Sequence, residues 1–324
     1  MNKTNKLKSV LLCLIAAALS VMTIVVILNK TFVRDKIKSL LSNPTPEVLN
    51  IEQKLDLTES AKLIFSASNP TLDSSETFNS YCSSYDINTA ILGCYSDEKI
   101  HIYNIDLPAL SGIVESTAAH EFLHAVWERL SGIERDKLSI DLKKVYSENC
   151  EKLCETLKNY NEANQLNELY ARVGTQISDL PESLENHYKK YFKDRQKIVE
   201  FYNSYISTFD EITKKNDELY SEIENLEKEI SEMTLNYQNE LQSYSDKVDE
   251  FNNCANTPGC FSQYTFNIRR NELINEQAYL MNFYDEINEK IENYNSKARD
   301  YNENILYGQK LNDAINSNTA PAEL

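Results

Sequence analysis

Two long stretches in the second half of the chain carry apolar residues at heptad spacing. The first covers residues 198–251, with a stutter after Tyr237, and the second covers residues 273–305. Such a repeat predicts α-helices packed through an apolar seam. Residues 254–260 between them contain Asn, Pro and Gly, which favour a turn. We therefore predict an antiparallel coiled-coil hairpin over residues 196–315, with its tip at 254–260 and arms about 80 Å long.

Shorter patterns lie upstream of this hairpin. Residues 90–95 and 99–105 are two β-rich runs around the polar turn 96–98, and they predict a strand hairpin. His101 alternates within the second run, and we predict that it lies on the surface. Residues 113–130 then carry apolar residues at helical spacing, and Gly132 is expected to cap that helix at its carboxyl end. The fold class predicted is α+β and predominantly helical.

The amino terminus has the pattern of a membrane anchor. Residues 9–28 contain no charge and follow Lys3, Lys6 and Lys8. Twenty such residues are enough to cross a bilayer as a helix. The apolar run continues past the small residues at 16–20, which disfavours cleavage by a signal peptidase. We predict an uncleaved, single-pass transmembrane signal anchor in a cell membrane, although the flanking positive charges do not decide its orientation.

The cysteines indicate the compartment. Cys13 falls in the predicted span, and the other six are close neighbours in sequence: Cys82 and Cys94, Cys150 and Cys154, Cys254 and Cys260. Three local pairs suggest disulfides and an oxidising environment. The amino terminus is then cytoplasmic and the remainder extracytoplasmic. Proximity does not fix the connectivity, and Cys150 with Cys154 could instead provide two zinc ligands.

Charge limits the class of partner. The chain has 50 acidic and 33 basic residues, a net charge of −17 and a pI near 4.8. Binding to phosphate backbones needs a basic face, so nucleic acid is excluded as a partner. The coiled coil is expected to bind a protein partner or to self-associate.

The residues that point to chemistry are His120, Glu121 and His124, which form an HExxH motif. Residues four apart share a face of a helix, so two imidazoles can bind one zinc ion while Glu121 serves as general base. With 4 histidines in 324 residues, only about 0.005 accidental matches are expected. The motif therefore predicts zinc-dependent hydrolysis of a protein or peptide substrate.

The strand hairpin followed by this helix resembles the zincin metallopeptidases. In that family an extended substrate pairs with an exposed edge strand beside the metal-binding helix. The resemblance implies that residues 100–104, with Ile100 and Ile102, form that edge strand. Main-chain pairing at such an edge gives broad affinity and leaves selectivity to side-chain pockets.

A second helical stretch is similar to the gluzincin pattern Asn-Glu-x-x-Ala, here residues 167–171. The resemblance implies that Glu168 is the third zinc ligand, with Glu162 and His187 as competitors. The Asp that follows the pattern in the family is replaced by Arg172, so the carboxylate that orients one histidine must come from elsewhere. The family also places a polar side chain opposite the metal to stabilise the oxyanion. The candidates for that role are three: His187, Tyr188 and Arg195.

The predicted organisation has four parts. Residues 1–38 form the cytoplasmic tip, anchor and juxtamembrane segment, residues 39–195 a zincin-like domain, residues 196–315 the coiled coil and residues 316–324 a disordered tail. The predicted function is that of a membrane-anchored zinc metallopeptidase acting on extracytoplasmic proteins or peptides. The alternative is a non-enzymatic scaffold or envelope adaptor with a structural or degenerate metal site. Glu121 discriminates between the two, because a structural zinc site has no use for it.

Overall fold

The computed structural model describes residues 16, 20, 29–82, 90–158, 160 and 162–318. The helices are α1 Lys30–Leu41, α2 Pro46–Leu55, α3 Glu59–Ala67, α4 Ser75–Tyr81, α5 Ile113–Arg129, α6 Gly132–Glu148, α7 Cys150–Leu157, α8 Glu162–Gln176, α9 Glu182–Tyr188, α10 Arg195–Ala255 and α11 Gln263–Ile315. The strands are β1 Thr71–Asp73, β2 Gly93–Ser96 and β3 Lys99–Tyr103. The predicted α+β, predominantly helical class is confirmed. Among the described residues no helix is both long and apolar enough to cross a membrane. The predicted anchor, residues 9–28, lies outside them except for positions 16 and 20.

The chain divides into two compact units, residues 1–208 with 311–324, and residues 209–310. The first turns of α10 belong to the first unit, where Ile198 is buried and Thr208 donates a 2.7 Å hydrogen bond to the carbonyl of Ala109. The division therefore falls after residue 208, whereas the sequence placed the boundary at residue 195. Asn79 donates to the carbonyl of the buried Ser317, so residues 316–318 are also ordered, in contrast to the predicted tail. Residues 319–324 lie outside the described part.

The sheet has the strand order β1-β3-β2. Strands β2 and β3 form the predicted antiparallel hairpin, and Asp97 and Glu98 at its turn have the positive φ values that a two-residue turn of this kind requires. Strand β1 pairs with β3 in parallel on the other side. β3 is therefore the central strand, and the prediction that Ile100 and Ile102 lie on an edge is wrong. Both side chains are fully buried.

Helix α5 lies at the centre of the first unit, where it packs against the sheet and α8. Its buried residues include Ala118, Phe122 and Val126. Gly112 directly precedes the first residue of the helix and has a φ of 94°. A Cβ added there would lie 2.5 Å from the carbonyl oxygen of Phe201, so no side chain fits at this position. Such a close approach fixes where the helix begins.

The carboxyl end of α5 differs from the prediction. The helix ends at Arg129, and Ser131 starts α6 through a capping box with Glu134. Gly132 is thus the first residue of the next helix rather than a cap for α5. A capping box provides hydrogen-bond partners for two free backbone amides at the start of a helix. Ser131 and Glu134 therefore start α6 at the position where the glycine cap of α5 was expected.

The second unit is an antiparallel helical hairpin. Lys247 pairs with Glu276 near the tip, and Lys297 pairs with Glu222 further from it, each with atoms 2.6 Å apart. The side-chain amide of Asn304 donates to Asn216 at 2.8 Å. These pairs confirm the predicted hairpin. All three local disulfides are also present: Cys82–Cys94, Cys150–Cys154 and Cys254–Cys260.

Candidate metal centre

The three predicted ligand residues lie together between α5 and α8. His120 Nε2 is 3.1 Å from His124 Nε2. One carboxylate oxygen of Glu168 lies 3.6 Å from His120 Nε2, and the other lies 3.4 Å from His124 Nε2. The four-residue spacing on α5 places both imidazoles on one helix face. Helix α8 then brings the carboxylate to that face from the opposite side.

The separations fit one small cation. With metal–ligand bonds of about 2.1 Å, neighbouring ligands of a tetrahedral zinc site lie about 3.4 Å apart. The three measured distances between donor atoms are close to this value. Two imidazole nitrogens and one carboxylate are also the donor set of a catalytic zinc site, which keeps its fourth position for water. The residues present therefore fit zinc or a similar divalent ion.

Asn167 orients one of the imidazoles. Its side-chain oxygen lies 3.0 Å from His124 Nδ1. When Nδ1 carries the proton and donates to Asn167, the lone pair of Nε2 points to the centre of the group. An amide oxygen thus orients His124, where the resemblance led us to expect a carboxylate. Arg172 instead donates from Nε to Glu168 at 2.6 Å and fixes the ligand carboxylate.

The electrostatics favour a positive charge at the centre. Burial alone would raise the pKa of Glu168, but the charges and hydrogen bonds of His120 and His124, together with Arg172, hold it well below its ordinary value. Burial alone would lower the pKa of His124, but Glu168 and Glu121 outweigh burial and raise it to about 9. Both directions show that the carboxylates stabilise a cation among them.

Glu121 is buried beside the group and outside its ligand set. Burial raises its pKa, and the charges of His120 and His124 oppose that rise. Gly93 on β2 lies close to it, because a Cβ added at this glycine would lie 2.8 Å from Glu121 Cγ and 2.6 Å from Thr117 Cγ2. The outer strand therefore approaches Glu121 more closely than any side chain would permit.

The structure holds His187, Tyr188 and Arg195 in a different cluster. The His187 ring bonds the Tyr170 hydroxyl at 2.9 Å, and the Tyr188 hydroxyl donates to the Tyr170 carbonyl at 2.7 Å. Arg195 is fully buried, pairs with Glu185 and donates to main-chain carbonyls. These contacts do not support the predicted role in stabilising the oxyanion, because the polar groups join elements of the fold. The competing ligand His187 is not part of the group that could hold a metal ion, and the side chain of Glu162 lies outside the described part.

Tyr160 is the polar side chain that sequence reasoning missed. It is 42% exposed, it hydrogen-bonds Arg172, and its electrostatic neighbours include Glu168 and Glu121. Burial of the hydroxyl, followed by the charge of Glu168, raises its pKa. The sequence around Tyr160 has no periodic pattern that would identify this residue. The only signal was Arg172, its hydrogen-bond partner, which stands where the family pattern has Asp.

His101 is buried, contrary to the prediction of a surface position. Its Nδ1 lies 2.9 Å from Asp73 Oδ2 and 3.0 Å from Thr71 Oγ1, and its ring stacks on Tyr81. Thr71 and Asp73 lie on β1, so the parallel pairing of β1 with β3 creates this polar cluster. The alternation of residues within β3 alone does not predict this pairing.

No protein-family model matches the chain, and neither does a curated protein or a solved structure. Any functional conclusion therefore depends on the site itself.

Proposed function

We propose that the protein is a membrane-anchored zinc metallopeptidase that hydrolyses peptide bonds outside the cytoplasm. The observation that carries the proposal is the convergence of His120, His124 and Glu168 with Glu121 next to them but not among them. A structural zinc site normally takes four protein ligands and needs no buried carboxylate beside it. Within the described part of the chain the group has three members, which suits an open site.

Glu121 is the general base of this proposal. His120, His124 and Glu168 would hold the zinc ion, which would polarise the scissile carbonyl and lower the pKa of water at the open position. Glu121 accepts a proton from the attacking water and then passes it to the amide nitrogen as the C–N bond breaks. Its buried position raises its pKa and so makes it a stronger base than an exposed glutamate.

The outer strand β2 is the proposed place for the substrate. Among the described strands it lies at the edge of the sheet next to β3, and Gly93 brings its main chain against Glu121. An extended peptide that pairs with this edge would lie beside the strand that contacts Glu121. Tyr160 and Arg172, beside the ligand carboxylate, are the side chains we propose to stabilise charge on the carbonyl oxygen.

The decisive test compares Glu121→Gln with Glu128→Gln, a variant of an exposed glutamate on the same helix. We expect Glu121→Gln to retain stoichiometric zinc and to lose cleavage of a fluorogenic peptide library by a factor of about 100 or more. The Glu128→Gln control should keep both. Unchanged cleavage by Glu121→Gln would contradict the assigned role.

The ligand set has its own test. Glu168→Ala should remove zinc, measured by metal analysis after dialysis, whereas His187→Ala should keep it. If purified protein binds zinc stoichiometrically but cleaves no peptide in the library, with or without added metal, the non-enzymatic scaffold becomes the better reading.

A further inference from the structure

The outward face of α1 has a composition unlike the rest of the chain. Its exposed residues are four large apolar side chains and two lysines: Phe32, Ile37, Leu40, Leu41, Lys30 and Lys36. The apolar four are 55–80% exposed. At about 100° per residue all six fall within one half of the helix circumference. No acidic residue shares that half, in a chain whose net charge is −17.

The opposite face of α1 is firmly held by the first unit. Asp35, the one acidic residue of the helix, accepts two hydrogen bonds from Arg129, at 2.7 and 3.0 Å, and both side chains are buried. Arg34 and Lys38 pair with Glu98 at the β2–β3 turn. The exposed apolar face is therefore not a loosely attached end of chain. It is a fixed part of the surface.

Position in the sequence indicates what covers this face. The uncharged residues 9–28 end one residue before Asn29, which directly precedes the helix. If that segment enters a bilayer, α1 begins at the membrane surface. An apolar face that carries lysines and no acidic residue suits the boundary between acyl chains and anionic headgroups.

We infer that α1 lies along the surface of an anionic bilayer, with Phe32, Ile37, Leu40 and Leu41 in the acyl boundary and Lys30 and Lys36 at the headgroups. This inference rests on the membrane anchor of the proposed function and not on its peptidase activity. Because Arg129 is the last residue of α5 and contacts the inner face of α1, the metal-binding helix ends about one helix diameter, roughly 10 Å, from the lipid. The site would then act on substrate segments close to the membrane.

The test uses the full chain reconstituted in vesicles of neutral and anionic phospholipid with brominated acyl chains. Leu40→Trp places a fluorophore on the α1 face, and Ile140→Trp places one on α6, where the native residue is 71% exposed against 75% for Leu40. The native Trp127 is 6% exposed and gives both variants the same background. Since bromine quenches only on contact, we expect Leu40→Trp to be quenched at least about threefold more than Ile140→Trp and to be protected from aqueous acrylamide.

The charge part is tested by Lys30→Glu combined with Lys36→Glu in the Leu40→Trp background. Quenching should weaken on anionic vesicles and stay the same on neutral ones. Equal, weak bromine quenching of Leu40→Trp and Ile140→Trp would overturn the inference. Protection of Leu40→Trp from acrylamide without bromine quenching would also overturn it, because a protein would then cover the face. Failure of the chain to sediment with vesicles would reject the anchor itself, and peptidase assays in detergent would remain independent of all these outcomes.

Discussion

At the scale of single residues, the absence of a side chain at Gly93 lets β2 lie against Glu121, the proposed base. Gly93 and Gly132 make a matched pair: an added Cβ at the first would overlap Thr117 and Glu121, whereas nothing lies within 4 Å of the second. Gly93→Ala must displace β2 or the Glu121 side chain. Overpacking of this kind costs about 1–3 kcal/mol.

We expect Gly93→Ala to lower the free energy of unfolding by that amount and to reduce peptide cleavage more than zinc binding, because it moves the base and not the ligands. Gly132→Ala should leave both unchanged or slightly increase stability. Chemical denaturation and single-turnover cleavage measure the two effects. Equal stability and cleavage in both variants would show that β2 does not lie against Glu121.

His187 predicts a pH dependence of stability. Burial, with a smaller contribution from Lys190, lowers its pKa from 6.5 to about 4. The unfolded chain therefore binds the proton more readily than the folded one, so the free energy of unfolding falls as the pH drops from about 6.5 to about 4. The complete loss is about 3 kcal/mol.

The matched variant is His187→Gln, which retains an acceptor for the Tyr170 hydroxyl but does not titrate. Denaturation curves at pH 7, 5.5 and 4 should show a smaller loss in this variant than in the parent. Other titrating groups, including the ligand histidines, contribute to both proteins and cancel in the difference. Identical pH profiles would contradict the neutral, buried state of His187.

Elements of the fold differ in how far the sequence reveals them. The HExxH helix, the β2–β3 hairpin and the two long helices were predictable, because local periodicity and turn chemistry specify each one. Strand β1 was not, since three residues between two helices show no alternation. Its pairing with β3 is non-local. Because of this pairing, β2 rather than β3 is an edge strand, and His101 is buried.

The candidate site shows the same division. His120 and His124 were predictable because their spacing is set within one helix. Glu168 was predictable only through the resemblance of residues 167–171 to a known family pattern. The roles of Asn167 and Arg172 could not be predicted without the packing of α8 against α5. The histidine that Asn167 orients is 43 residues away in the sequence. The position of Tyr160 near the site follows from its hydrogen bond to Arg172, which no local sequence pattern predicts.

The ion pair between Asp35 and Arg129 joins α1 to α5 and predicts a large effect on stability. Removing one partner leaves a buried charge without compensation, which typically costs 3–5 kcal/mol. We expect Asp35→Ala to lower the free energy of unfolding by about that amount, measured by urea denaturation. Lys144→Ala, which breaks an exposed pair with Glu148, should cost less than about 1 kcal/mol. Similar small losses in both variants would show that α1 is not fastened to α5 in solution.

At the scale of the whole molecule, the proposal joins three features that the sequence keeps apart: an uncharged stretch near the amino terminus, a metal centre and a long helical hairpin. The three local disulfides connect them to one compartment, because such bonds persist in oxidising surroundings. If residues 9–28 anchor the chain in a membrane, the proposal places the chain beyond them outside the cytoplasm.

Labelling of intact cells tests this topology. A membrane-impermeant thiol reagent should label none of the six paired cysteines until an external reductant is added, and protease added outside should trim the chain beyond residue 29 while sparing the amino terminus. Replacing Cys254 and Cys260 by serine should free the tip of the hairpin in the second unit and leave zinc content unchanged, because the ligands belong to the first unit. Free thiols throughout, with protection of the whole chain from external protease, would place the protein in the cytoplasm and reject the proposed localisation.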